Sequence, residues 1–130
     1  MVKVPEVSKA RDKKENGYHK LLIWQRLKSF IKLTYELTSK LPKDEEFGLK
    51  SQMRRAAVSV ISNFVEGYLK RSAKDKIRFI EIAQASLMEL EAQSEICLML
   101  NYWNQEDYLE FDQKRGEIGY LLYRYRINIV

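Results

Sequence analysis

The sequence predicts an all-α fold, an antiparallel up-down four-helix bundle. Three observations carry this. Apolar residues recur at three- and four-residue steps in four separate segments, and no two-residue alternation competes with them. Both prolines, Pro5 and Pro42, fall outside those segments. The links between segments are short, which forces consecutive helices to lie side by side in opposite directions. The chain has 130 residues, 45% apolar and 32% charged. That length suits one bundle, assigned to residues 18–130, behind a flexible basic arm at residues 1–17.

The first helix is expected from about Tyr18 to Leu41. Ile23, Leu27, Phe30, Ile31, Leu37 and Leu41 form its stripe, and Pro42 stops it. An acidic loop, PKDEEFG, follows. The second helix spans about Leu49 to Tyr68 and frays near Gly67. The third begins after Ser72, which with Asp75 resembles a capping box, and runs to about Asn101. Ile80, Ala83, Leu87, Leu90, Ser94 and Cys97 mark its inner face. The fourth starts after Asn104, a good N-cap residue, with Glu106 and Asp107 in its first turn. Its stripe is Tyr108, Phe111, Arg115, Ile118, Leu122, Tyr125 and Ile129.

The second helix carries a peculiarity. Gln52, Arg55, Ser59, Asn63 and Glu66 fall in one sector roughly 80° wide, beside the apolar face of Leu49, Met53, Ala57, Val60, Ile61 and Phe64. These residues are mostly short and mixed in type, unlike a solvated Lys/Glu surface. They suit a contact in which hydrogen bonds fix register, with a neighbouring helix or with another subunit.

Charge is segregated along the chain. The total is +5, yet residues 52–78 carry seven basic and two acidic side chains, and residues 79–112 carry eight acidic and no basic ones. The molecule should present one acidic and several basic surfaces, able to meet phosphate, a basic partner or another subunit. Lys70, Arg71 and Lys74 gather where the third helix begins, where open N–H groups and the helix dipole favour an anion. Tyr120, Tyr123, Arg124 and Arg126 could combine base stacking with phosphate contacts at the other terminus. The arm adds Lys9, Arg11, Lys13 and Lys14 for nonspecific attraction. These positions are the candidate nucleic-acid-binding residues for RNA or DNA.

Enzyme chemistry finds little here. Di-metal bundles use several glutamates with histidines on facing helices. Glu81, Glu89, Glu91 and Glu95 are present, but the single histidine, His19, precedes the first stripe, and Glu89 and Glu91 point to different faces. No metal, cofactor or catalytic residue is assigned. The one cysteine, Cys97, sits in the apolar run EICLML and reads as an inert buried thiol. The N-terminal stretch does not read as a signal peptide, and no apolar run approaches the ~20 residues needed to span a bilayer. A cytoplasmic protein without membrane contact is expected.

The residues FGLKSQMRRAAVSVISNFVEG, then Arg71, Phe79, IAQAS and ELE, are similar to a four-helix-bundle protein family. It includes proteins encoded within intervening sequences of bacterial large-subunit ribosomal RNA genes. The accessory variability determinant proteins of diversity-generating retroelements resemble it too. The match covers roughly residues 21–103 and is most specific over 48–91. Two positions depart: Ile61 stands where many members have proline, so the second helix should be straighter, and Ala85 replaces a frequent glycine, loosening one close helix contact. The resemblance implies a homo-oligomer, commonly a pentameric barrel. In the retroelement branch it implies a non-enzymatic, nucleic-acid-binding partner of a reverse transcriptase. An oligomeric protein-interaction scaffold with no nucleic-acid role is the alternative.

Overall fold

A computed structural model describes residues 17, 18 and 21–130. The basic arm over residues 1–16 and His19 lie outside the described residues. Four helices account for most of the rest: α1 Leu22–Thr38, α2 Leu49–Leu69, α3 Ala73–Met99 and α4 Gln105–Ile127, with a 3-10 turn, Lys43–Glu45, in the acidic loop. No strand occurs among the described residues. The chain is a four-helix bundle.

The core follows the apolar stripes. Leu27, Phe30, Met53, Val60, Phe64, Ile80, Leu90, Phe111, Ile118 and Leu122 are essentially inaccessible to solvent. Phe111 joins α1 and the α3–α4 link, with its ring 5.1 Å from both Phe30 and Trp103. Burial of such rings contributes roughly 1.5–3 kcal/mol each over leaving them exposed. Two threonines share this core. Thr34 and Thr38 donate their hydroxyls to the carbonyls of Phe30 and Thr34 at 2.8 and 2.6 Å, so neither polar group is left unsatisfied.

Helix boundaries follow local chemistry. Ser72 and Asn104 cap α3 and α4, accepting hydrogen bonds from the Asp75 and Asp107 amides at 3.1 and 2.7 Å. Asn101 adopts φ 60° and turns the chain out of α3, while the Tyr102 amide donates back to the Cys97 carbonyl at 2.9 Å. α1 is shorter than expected. It begins at Leu22 rather than Tyr18 and ends at Thr38, with Leu41 still buried beyond it. The apolar period runs past the helix because Tyr18 and Leu41 both pack inward from the turns that flank it. α2 runs unbroken through Ile61.

α2 and α3 form the most extensive helix pair. Gly67 explains part of this. A Cβ there would lie 3.1 Å from the Lys76 carbonyl oxygen and 3.1 Å from the Phe79 Cβ, so the two backbones approach only because that side chain is missing. The expectation for Ala85 needs correction. It is exposed on α3, so no close contact within the chain depends on it.

Candidate functional site

The basic residues converge at one end of the bundle. α2 ends at Leu69, and only Lys70, Arg71 and Ser72 separate it from α3. Lys70 is the least available cation. Its Nζ lies 3.3 Å from Glu66 and 5.2 Å from the centre of the Phe79 ring. Arg71 and Lys74 are exposed, and neither forms an ion pair among the described residues. Arg78, absent from the sequence-based expectation, extends this group. It is exposed one turn beyond Lys74, with its guanidinium 4.9 Å from the Phe79 ring centre. The four-residue step from Lys74 was the available signal.

The start of α3 is less open than expected. The Ser72 hydroxyl already takes the Asp75 amide, and the Asp75 carboxylate stands in the first turn. Any anion held here is therefore held chiefly by side-chain charge, because the helix supplies its own acceptor and its own negative group.

The end of α4 lies beside this corner. Lys76 on α3 and Tyr125, Asn128, Ile129 and Val130 line one shallow cavity of about 230 Å³. Lys76 also donates to the Tyr68 carbonyl at 2.8 Å. Tyr68 and Tyr125 pack with Tyr18 and Phe64 into an aromatic cluster with neighbouring centroids 5.3–6.4 Å apart. Burial raises the pKa of the Tyr125 hydroxyl above its ordinary value. The two tail arginines differ. Arg126 is committed to α3, donating to Glu81 at 2.7 Å and to Gln84 at 3.4 Å. Arg124 is exposed and, among the described residues, donates to the Tyr120 hydroxyl alone, at 2.8 Å. Tyr120 and Tyr123 are both more than half exposed.

The polar row of α2 divides in two. The Ser59 and Ser86 hydroxyls share a 2.8 Å hydrogen bond between α2 and α3. Asn63 donates to the Ser59 carbonyl and hydroxyl at 2.9 and 3.1 Å. Gln52, Arg55 and Glu66 are exposed, and Glu66 meets Lys70.

Among the described residues no group of histidine, cysteine and carboxylate side chains is placed to hold a metal ion. Glu91 and Asp112 instead flank Arg115 at 3.1 and 2.8 Å. Cys97 is fully buried with its Sγ 3.6 Å from the Met53 sulfur. Burial, with a smaller contribution from Glu45, pushes its pKa up to about 12, so the nucleophilic thiolate is suppressed. No helix among the described residues is long and apolar enough to cross a membrane.

Comparison with known proteins places this geometry. The model of the 23S rRNA-intervening sequence protein family matches residues 19–124, nearly the whole bundle. The chain belongs to that family. A crystal structure of a protein of unknown function from the S23 ribosomal protein family of Bacteroides thetaiotaomicron is similar in fold. It has a TM-score of 0.75 at 24% identity, over 81% of this chain and 98% of that one. No curated protein matches the chain significantly.

Proposed function

We propose that this protein is a non-enzymatic, homo-oligomeric nucleic-acid-binding accessory protein of the cytoplasm. Its copies are antiparallel up-down bundles that assemble into a barrel, a pentamer by the resemblance noted above. Two sets of pairings support the antiparallel arrangement: Arg126 near the end of α4 meets Glu81 in the early part of α3, and along α4 from Asp107 to Glu117 the α1 partner steps back from Lys40 to Arg26. The observation that carries the binding reading is the cluster of exposed cations Arg71, Lys74 and Arg78, which have no acidic partner among the described residues; Tyr120, Tyr123 and Arg124 are exposed further along α4. Repetition around an oligomer would turn one weak corner into a basic ring whose contacts add by avidity. The family's name links it to ribosomal RNA genes, which is compatible with RNA as ligand. The resemblance to retroelement accessory proteins extends the reading to service of a reverse transcriptase. A neighbouring reverse-transcriptase gene and co-purification of its product check that extension.

The test titrates labelled RNA and duplex DNA with wild type and with the Lys70→Ala/Arg71→Ala/Lys74→Ala variant. Wild type should bind at low salt with little sequence preference, because no element resembles a base-reading module. The variant should bind at least tenfold more weakly with unchanged helicity and mass. Failure of wild type to bind at low salt would remove the nucleic-acid role and leave an oligomeric scaffold. Equal binding by the variant would move the surface to Tyr123, Arg124 and Arg126.

A further inference from the structure

α3 carries a second stripe on the side opposite its core face. Ile82, Ala85, Glu89, Ala92, Ile96 and Met99 are all exposed, and they repeat at steps of 3-4-3-4-3. On one helix this spacing places them along a single line. Apolar exposure is high there, with Ile82 at 42% and Met99 at 70%. A surface helix that shows water an apolar seam, in addition to the one facing its own core, presents an interaction face. Ala85 and Ala92 lie seven residues apart and leave low points where another backbone can approach.

A complementary surface runs along the outer groove between α1 and α2. At one end it is a cavity of about 500 Å³ bordered by Tyr35, Phe47, Arg54, Arg55 and Val58. At the other it is a cavity of about 320 Å³ lined by Trp24, Ile61, Ser62 and Val65. Arg55 forms no ion pair among the described residues, and Lys28 sits 5.6 Å from the Trp24 ring centre without one. Glu89 on the α3 stripe and Glu95, exposed at the stripe's edge, likewise have no cationic partner among the described residues. The charges also match in spacing. Tyr35 stands level with Arg54 and Trp24 with Val65, so Lys28 stands level with position 61. It is therefore about 9 Å along the groove from Arg55, and Glu89 and Glu95 are also about 9 Å apart.

We infer that the outer face of α3 docks into the α1–α2 groove of a second copy of this chain. The inference rests on the oligomeric part of the proposed function and names the surfaces that make the assembly. Self-pairing of two α3 stripes would set Glu89 and Glu95 against the same carboxylates, whereas the groove offers Arg55 and Lys28. The two surfaces lie on different parts of one molecule, so the contact is head-to-tail and generates a ring when the rotation closes. Ala92 falls midway between the two glutamates, and Val58 stands midway between the two cations. They come together whichever direction α3 takes in the groove.

Cross-linking tests this directly, because the native Cys97 is buried and does not interfere. The Val58→Cys/Ala92→Cys variant, oxidised or treated with a short bis-maleimide, should form a ladder from dimer up to the closed assembly. Each single variant should stay uncross-linked. Separately, Ala92→Arg should lower the mass in solution from several times 15.5 kDa to about that of one chain, with helicity retained. An Ala92→Cys single variant that cross-links to a dimer would overturn the groove in favour of α3 self-pairing. An oligomeric wild type whose double variant forms no ladder would overturn this interface and leave the oligomer standing. A monomeric wild type would remove the oligomer and the interface together.

Discussion

Two glycines at helical positions should respond to the same substitution with opposite signs. Gly67→Ala gains about 1 kcal/mol of helix propensity but drives a methyl against the Lys76 backbone and the Phe79 Cβ, neither of which can swing aside. Overpacking of this kind costs about 1–3 kcal/mol, so a net loss is expected. Gly116 has nothing within 4 Å of its would-be Cβ and lies exposed in α4, so Gly116→Ala should stabilise by about 0.5–1 kcal/mol. Chemical denaturation of both variants reads the contrast. Cys97 yields a pH-dependent prediction. The folded thiol keeps its proton to about 12, whereas an unfolded thiol loses it near ~8.5. Between those values the unfolded chain binds fewer protons, so stability falls as pH rises through that window. Comparing the alkaline stability slopes of wild type and Cys97→Ser isolates this contribution; identical slopes would contradict the assignment. A thiol reagent should label native Cys97 only as fast as the protein unfolds.

At the scale of elements, the caps at Ser72 and Asn104 and the inner faces of α2, α3 and α4 were legible because they depend on local spacing alone. The ends of α1 were not, since Tyr18 and Leu41 continue the apolar period from turns, and periodicity cannot distinguish a helix from a turn that packs inward. Trp103 was also missed. Its indole donates to the Leu37 carbonyl at 2.8 Å, tying the α3–α4 link to the end of α1 across 66 positions of sequence. No local pattern signals such a pairing. The polar row of α2 was recognisable as unusual, but only the structure shows Ser59 meeting Ser86. A double-mutant cycle measures that bond. Ser59→Ala and Ser86→Ala should each cost about 1 kcal/mol. The double variant should cost clearly less than the two combined, since each single change removes the same interaction. Strict additivity would mean that the two hydroxyls act independently.

At the scale of the whole molecule, the segregation of charge was visible in sequence, and the positions of Lys70, Arg71 and Lys74 beside α3 followed from it. What sequence could not show was which cations are already engaged. Arg126 is bound to Glu81 and Lys70 to Glu66, whereas Arg71, Lys74 and Arg78 have no acidic partner among the described residues. Engagement depends on distances between residues far apart in the chain. An assembled ring would concentrate the free cations at one end of every subunit, and phosphate binding there would release condensed counterions. The most direct test is therefore the slope of log Kobs against log salt for single-stranded RNA. Replacing Arg71, Lys74 and Arg78 with Ala should flatten the wild-type slope by about 2 for each fully engaged subunit, at roughly 0.7 for each phosphate no longer neutralised. An unchanged slope in a variant of native helicity and mass would contradict the claim that this end of the bundle holds the nucleic acid.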